Sequence, residues 1–410
     1  MQGLPNHALS SVKVLDFGWA LVGSLAAKML ADFGAEVIKV ESALRPCLTR
    51  IDKQVSVSER GNFNDKPWFS HFNTSKLSLQ INMKHPRVRE IIDPLIDWAD
   101  VIMENFSPGT MAGLGLDYES IQQKRPDIIM VSGSVFGQSG PYAKNWGVDG
   151  TGAALAGRMY LSGWPDRDPV APSVPYGDLV LPYVIAATVS AALEHKRQTG
   201  VGQHIDASMY EVCAQQMSES LLNTQLQNNV EQQRQGNQLT TAFYQGIYPC
   251  QPENGEDKWI AISFYSAEQW QAFTNLISNN ELPTADKISL LTPNQLPSLE
   301  EKISQWTRPQ DRYELMTLLQ QHGIAAGVVQ DIADTYDHDP QLKHREYLCE
   351  LEHPIIGKFG HQAPPVKLSR TPAQVKLAPA LGEHTEDICK RIIGLSDEQI
   401  QSLIEDKLFQ

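Results

Sequence analysis

Apolar and polar positions near the start of the chain follow the pattern of a βαβ unit. Residues 12–16 (VKVLD) form an apolar run typical of a buried strand, and residues 36–41 (EVIKVE) predict a second strand. Between them, apolar residues recur at spacings of three and four, which predicts an amphipathic helix over 22–33 that ends at Gly34. The apolar positions of this helix are Val22, Leu25, Ala26, Met29, Leu30 and Phe33.

The same alternation continues along the chain. Short apolar runs predict strands at 77–81, 101–104 and 127–132, and a helix is predicted over 87–98. Strands that alternate with helices are typical of an α/β fold with a mainly parallel sheet. An Ala-rich buried helix over 179–197 and a helical stretch over 207–227 follow.

The middle of the chain has a different pattern. Residues 226–238 are strongly polar and predict a linker, and 243–264 predict a β-hairpin around the turn Glu253-Asn254-Gly255. Helices follow up to residue 321. Since 410 residues exceed one ordinary core, the region 225–335 is expected to form a second, smaller domain.

Composition narrows the classes of partner. A formal net charge of −14 argues against nucleic acid as a main partner, because phosphate binding needs a basic face. The five cysteines are far apart and form no CxxC, so neither a disulfide framework nor a zinc site is expected. The start of the chain lacks a signal-peptide pattern and no run of about 18 apolar residues occurs. A cytoplasmic protein with no membrane partner is expected.

Familiar nucleotide and hydrolase motifs are missing. The turn after the first strand reads FGWALVG, in which Gly18 and Gly23 lie too far apart for a dinucleotide-binding GxGxxG. Glu41 could hold a ribose, but the residues alone favour a solvated strand end. Ser134 comes one position too early for the GxSxG of serine hydrolases, and no metal-ligand spacing occurs.

One carboxylate remains as a candidate nucleophile. Asp178 follows Tyr176 and Gly177 at the predicted N-cap of the long apolar helix. A role as helix cap would by itself explain an aspartate at this position. The two roles are compatible, since a helix N-terminus favours an ionised carboxylate and such a group can attack an activated acyl carbon.

Several ordered blocks identify a family resemblance over nearly the whole chain. The sequence resembles the class III CoA-transferases (the CaiB/BaiF group), which include formyl-CoA transferase and carnitine CoA-transferase and are related to the α-methylacyl-CoA racemases. The blocks are residues 12–42, 72–86, 104–118, 125–143, 176–211 and 378–388.

The resemblance implies a fold and an assembly. It implies a Rossmann-like large domain whose parallel sheet is formed from both chain ends, a small central α+β domain and an interlocked homodimer. Residues 1–224 would begin the large domain, 225–335 would form the small domain, and 336–410 would return to the large one.

The resemblance also implies a mechanism. Asp178 aligns with the family nucleophile, which passes through a mixed anhydride and an aspartyl-CoA thioester. Acyl-CoA and a small carboxylic acid would be the substrates, with no permanently bound cofactor and no metal.

Two other functions stay open at this point. The racemase relatives carry a His in a Gly-His-Asp motif where this chain has Gly147-Val148-Asp149, and Val148 cannot transfer a proton. A non-catalytic CoA-binding subunit of a heteromeric transferase is the other alternative.

Departures from the family suggest a different acyl pocket. Formyl-CoA transferase has Gln where this chain has Leu21 and Tyr where it has Val148, and the family's glycine run is missing from 260–270. Ser42 and Gly113 stand at positions that are usually basic. Formate and oxalate are therefore not expected as substrates. The predicted substrate contacts are Leu21, Trp146, Val148 and Asp149, and the predicted CoA contacts are Asn105, Phe106, Lys76 and Arg50.

Overall fold

A six-stranded parallel sheet organises the first half of the chain. The structure, a computed structural model, describes residues 7–51, 62–226, 233–238, 241–277, 282–288, 290–291 and 295–410. The strands are β1 (Lys13–Asp16), β2 (Glu36–Glu41), β3 (Leu77–Gln80), β4 (Val101–Glu104), β5 (Ile129–Ser134) and β6 (His204–Ser208). Their order across the sheet is β3-β2-β1-β4-β5-β6.

The sheet changes winding direction next to β1. This strand pairs in parallel with β2 on one side and with β4 on the other, so Val14 lies opposite both Val37 and Val101. In open α/β sheets, ligands bind at the carboxyl ends of the strands beside such a reversal. The five predicted strands are confirmed within two residues. β6 was not predicted, because its sequence HIDAS alternates only weakly.

Helices cover both faces of the sheet. The described helices before residue 230 are α1 (Val22–Asp32), α2 (Pro67–Phe72), α3 (Arg89–Trp98), α4 (Thr110–Gly113), α5 (Tyr118–Gln122), α6 (Asp149–Leu155), α7 (Arg158–Leu161), α8 (Tyr176–Thr199), α9 (Met209–Gln215) and α10 (Ser218–Leu226). α1 and α8 pack on one face, where Leu30 and Leu181 join Val14 in the core. α3 covers the other face.

Helix α8 carries its buried side chains along one stripe. Leu181, Ile185, Val189 and Ala192 are buried at spacings of four, four and three. By length and composition alone this helix could span a membrane, but here its apolar stripe packs against the sheet and α1. The predicted N-cap position of Asp178 is wrong, because the helix starts at Tyr176 and Pro175 occupies the N-cap.

The chain divides into two units. The first contains the described residues of 1–160, 171–230 and 343–410, and the second those of 161–170 and 231–342. The predicted α/β class is confirmed. The C-terminal segment joins the first unit as the antiparallel pair β10 (Leu348–His353) and β11 (Gly357–Gln362) and as helices, while all six sheet strands lie before residue 209.

The C-terminal helices complete the apolar core on the α3 side of the sheet. They are α16 (Thr385–Ile388) and α17 (Asp397–Glu405), joined by a π-helical turn at Cys389–Ile393. Ile388 and Leu403 pack into the same apolar cluster as Leu95 of α3.

The second unit is an α+β arrangement. It contains the antiparallel strands β7 (Tyr244–Glu253), β8 (Glu256–Phe264) and β9 (Ala325–Val329). Its helices are α11 (Ala267–Ile277), α12 (Ala285–Ile288), α13 (Leu296–Thr307) and α14 (Arg312–Gln321), and α15 (Pro340–His344) follows a π-helical turn at Asp334–His338. The predicted hairpin is confirmed: Asn254 and Gly255 adopt φ of 52° and 81°, as a tight two-residue turn requires. Part of the predicted linker, 227–232, lies outside the described residues.

Candidate active site

A cavity of about 650 Å³ opens at the carboxyl ends of β1, β4 and β5. We call it the Asp178 cavity, because Asp178 is one of its lining residues. The loop after β1, Asn105 after β4 and residues 133–135 at the end of β5 form one side. The first turns of α6 and α8 form the other side. The cavity therefore lies at the sheet edge where the winding direction reverses.

The loop of residues 18–21, which follows β1, is held by three buried or partly buried side chains. The Gly18 N–H donates to Asp16 Oδ1 at 2.7 Å, and Lys39 Nζ donates to the Gly18 carbonyl at 2.6 Å. The Trp19 N–H donates to Asn105 Oδ1 at 2.6 Å, and Asn105 Nδ2 donates to the Trp19 carbonyl at 2.9 Å. These bonds hold the loop while Ala20 adopts a left-handed φ of 57°.

Lys76 belongs to the buried network below this loop. Its ammonium donates to Asp16 at 2.8 Å, to the Ser24 carbonyl at 2.9 Å and to Asn73 Oδ1 at 3.0 Å. Burial lowers the pKa of Lys76 to about 8, although Asp16 opposes that shift. Lys76 is 3% exposed, so this predicted CoA contact lies in the interior as a structural cation.

Asp178 lies in the first turn of α8, where Asp149 acts as a cap from a neighbouring helix. The Asp178 N–H donates to Asp149 Oδ1 at 3.0 Å. Asp149 is buried, and a Cβ on Gly177 would lie only 2.7 Å from the same oxygen. Glycine at 177 is what lets the two segments approach this closely, and the contact orients the start of α8.

Two further groups at the cavity wall can act as hydrogen-bond donors. Helix α1 begins after Leu21 without a side-chain cap, and its first residue, Val22, lines the cavity; the N–H groups of a helix's first turn have no partner within the helix. Ser134 Oγ is buried and has no hydrogen-bond partner among the described residues. A bound carbonyl oxygen or oxyanion could accept from such donors.

A second cavity of about 580 Å³ adjoins the first. We call it the Phe106 cavity; Phe106, Ser42 and Gly113 line it, and Trp19 lines both cavities. Two exposed cations stand at its wall, Arg45 after β2 and Lys84 after β3. The Arg45 guanidinium lies 5.1 Å from the centroid of the Trp19 ring.

Phe106 is tied to a buried carboxyl group. Its N–H donates to Glu104 Oε2 at 2.6 Å. Burial raises the pKa of Glu104 to about 7, although hydrogen bonds from Ser132 and Phe106 oppose the shift. The Ser132 hydroxyl also pairs with His204 Nε2 at 2.9 Å.

The predicted site residues separate into three groups. Leu21, Asn105, Val148, Asp149 and Asp178 all line the Asp178 cavity, and Phe106 lines the cavity beside it.

Three predicted contacts lie elsewhere, and Lys76, described above, is one of them. Trp146 is 99% exposed and lines neither cavity. Arg50 is fully buried, forms a bidentate pair with Glu41 at 2.9 Å and stacks 3.2 Å from the centroid of Phe69. Arg50 is therefore an internal cation.

Sequence reasoning did not select Trp19, Arg45 or Lys84. A signal was present, because each follows a strand of the parallel sheet at its carboxyl end. The sequence suggested Ser134 only as a possible hydrolase nucleophile, at a position that does not fit the GxSxG motif.

Comparisons with known proteins agree on one family. Residues 9–385 match the sequence model of CoA-transferase family III. The chain is 28% identical to succinyl-CoA–D-citramalate CoA-transferase of Chloroflexus aurantiacus over 97% of both chains. It is 30% identical to the beta subunit of succinyl-CoA–L-malate CoA-transferase of the same organism, covering 96% of each.

A human relative and a solved structure extend the comparison. Human succinyl-CoA:glutarate CoA-transferase is 28% identical over 97% of this chain and 88% of that protein. The crystal structure of a CaiB/BaiF family protein from Brucella suis superposes with a TM-score of 0.82 and 25% identity, covering 95% of this chain and all of that one.

Proposed function

The chain belongs to CoA-transferase family III, and on that premise we propose that it moves coenzyme A from an acyl-CoA to a free carboxylic acid through covalent intermediates on Asp178. One observation carries the proposal: Asp178 lines the cavity at the carboxyl edge of the sheet, in the first turn of α8. A helix N-terminus favours the ionised carboxylate, which is the nucleophilic form.

The reaction runs in four balanced steps. The Asp178 carboxylate attacks the thioester carbonyl and expels the CoA thiolate, which leaves a mixed anhydride. The thiolate attacks the aspartyl carbonyl, releasing the donor carboxylate and forming an aspartyl-CoA thioester. The acceptor carboxylate attacks this thioester and expels the thiolate again. The thiolate then attacks the acceptor's acyl carbon, which yields the new acyl-CoA and regenerates Asp178.

The energetics of this scheme suit the site. A thioester is exchanged for a thioester, so the net reaction is close to thermoneutral and consumes no ATP. Each addition step places negative charge on a carbonyl oxygen. The first-turn N–H groups of α1 and the Ser134 hydroxyl are suitable donors, and one such donor is typically worth about 3–4 kcal/mol in the transition state.

We infer that CoA itself enters through the Phe106 cavity. Arg45 and Lys84 are suited to its phosphate groups, because exposed cations beside an apolar wall pair well with phosphate oxygens. Trp19 lines both cavities, so the pantetheine arm would pass this residue to bring the thioester to Asp178. CoA is a substrate in this proposal, and no permanently bound cofactor takes part.

We also infer that two copies of the chain associate and that they work in the cytoplasm. Tyr183 and Val184 of α8 are 47% and 43% exposed, which suits an apolar helix face that a second copy covers. All five cysteines are free thiols, as is usual in a reducing compartment. Sedimentation analysis of the purified chain tests the association.

The test of the nucleophile is an exchange assay without ATP. A ¹³C-labelled carboxylic acid is incubated with unlabelled acyl-CoA, and the CoA esters are followed by mass spectrometry. Asp178→Ala should abolish label transfer, whereas Asp97→Ala, which alters an exposed aspartate of α3, should retain it. Continued transfer by Asp178→Ala would show that another group is the nucleophile.

The same assay separates the alternatives. Exchange of α-protons with D₂O in place of CoA transfer would identify a racemase-type reaction. Binding of acyl-CoA without any exchange, followed by activity when a second subunit is added, would identify a heteromeric transferase.

A further inference from the structure

The wall of the Asp178 cavity is mostly apolar. Val148 and Val174 line it and are 71% and 47% exposed, so an apolar ligand that covered them would bury further apolar surface. Further apolar side chains complete this wall, namely Leu21, Val22, Met159 and Leu181. An aliphatic acyl chain would remove this surface from water.

The charges of the cavity have one sign. Among the described residues that line it, the charged ones are Asp149 and Asp178, both acidic. Arg50, which follows the lining residue Thr49 in sequence, is buried in its pair with Glu41. A second carboxylate on a substrate would lose its hydration beside two carboxylates, with no cation from the described lining to offset the cost.

The other polar side chains of the described lining, Thr49, Asn105, Ser134 and Ser173, are neutral. Ser134 Oγ is buried and has no hydrogen-bond partner among the described residues. A hydroxyl can donate to the single carbonyl oxygen of an acyl group, and it adds no charge that would favour a dianion.

From these observations we propose that the acid exchanged at Asp178 is a monocarboxylate whose remaining chain is neutral and apolar. This inference rests on the proposed function and narrows its substrate class. It separates this chain from the three CoA-transferases compared with it above, whose acids (succinate, malate, citramalate and glutarate) all carry a second carboxylate.

A matched panel of acids tests the inference. Butyrate and valerate are compared with succinate and glutarate, which have the same numbers of carbon atoms, as acceptors from acetyl-CoA. We expect kcat/KM to be about 100-fold higher for the monocarboxylates, since an unpaired desolvated charge is costly in a site built without a partner for it. Equal or higher kcat/KM with the dicarboxylates would overturn the inference and leave the proposed transfer reaction intact.

A charge introduced at the cavity should reverse part of this preference. Val148→Lys places an ammonium beside the acyl wall, and Val148→Met is the neutral control of similar length. We expect Val148→Lys to raise the succinate-to-butyrate ratio of kcat/KM at least tenfold and Val148→Met to leave it near the wild-type value. An equal rise in both variants would contradict the role of charge.

A binding measurement keeps the inference testable even if no acid is exchanged. In Asp178→Asn protein, titration calorimetry compares butyryl-CoA with succinyl-CoA, and we expect at least tenfold tighter binding of butyryl-CoA. Equal or tighter binding of succinyl-CoA overturns the apolar substrate class. Absence of exchange with every acid in the wild-type protein counts against the proposed function instead.

Discussion

Arg45 and Lys84 are the exposed cations at the Phe106 cavity, and each should contribute to CoA binding. Charge-assisted hydrogen bonds to phosphate are stronger than neutral ones. We expect Arg45→Ala and Lys84→Ala each to raise the KM for acyl-CoA about tenfold while kcat changes less than twofold. Steady-state kinetics at two ionic strengths measure this, since salt should weaken binding less in the variants than in the wild type.

Lys124 supplies the control for these two cations. It is an exposed lysine that lines neither cavity, so Lys124→Ala should keep the wild-type KM. If all three variants behaved alike, the Phe106 cavity would not be the phosphate subsite.

The buried carboxyl group of Glu104 makes a separate prediction about pH. Its folded-state pKa is raised to about 7, so the folded chain holds a proton that the unfolded chain releases near pH 4.5. The stability that Glu104 contributes is therefore complete below pH 4.5 and is lost as pH rises towards 7. Glu104→Gln cannot ionise and should gain on the order of 3 kcal/mol over the wild type between pH 5 and pH 8.

Urea denaturation of both proteins across this range is the measurement. Because other titrating groups are shared, only the difference between the two curves is interpreted. Parallel curves would mean that Glu104 ionises at an ordinary pH.

At the scale of structural elements, the conformation of the 18–21 loop depends on its hydrogen bonds to Asn105. Asn105 holds both backbone groups of Trp19, and a partly buried peptide left without partners costs about 1–3 kcal/mol per group. Asn105→Ala should therefore lower kcat about 10- to 100-fold with a smaller change in the KM for acyl-CoA. Asn105→Asp can accept from the Trp19 N–H but cannot donate to its carbonyl, so its kcat should be intermediate.

The separate changes in kcat and KM distinguish two roles for Asn105. A fall in kcat indicates that it positions the loop. A rise in KM at constant kcat would indicate instead the direct CoA contact that the sequence predicted.

At the scale of the whole molecule, the chain's C-terminal segment is part of the first unit's core. Leu403 of α17 is 1% exposed and packs in the cluster that contains α3, while its neighbour Ile404 is 50% exposed. Leu403→Ala should lower the free energy of unfolding by about 2–5 kcal/mol, because it leaves a cavity. Ile404→Ala, on the same helix, should change it by less than about 0.5 kcal/mol.

Chemical denaturation at constant pH gives both values, and the urea midpoints should differ while the slopes agree. Equal losses in the two variants would mean that α17 does not pack as described.

The sequence by itself determined the fold class and the family. Period-two and period-3.6 patterns depend only on neighbouring residues, so the strands of 12–16 and 36–41 and the helix between them could be predicted from the chain alone. The ordered blocks identified the family, and Asp178 was selected because it lies within one of them. β6 could not be predicted in this way, because its apolar and polar residues alternate only weakly. No local pattern indicated that residues 161–170 belong to the second unit.

Only the tertiary structure decided which charged residues are available to a ligand. Arg50 and Lys76 are cations of the kind that bind phosphate, yet both are paired in the interior. Arg50 pairs with Glu41, 9 residues away in sequence, and Lys76 pairs with Asp16, 60 residues away. Asp149 caps the helix of Asp178 across 29 residues, and Arg45 and Lys84 meet at one cavity from separate loops. Burial and long-range hydrogen bonds follow from packing of distant segments, so no local pattern encodes them.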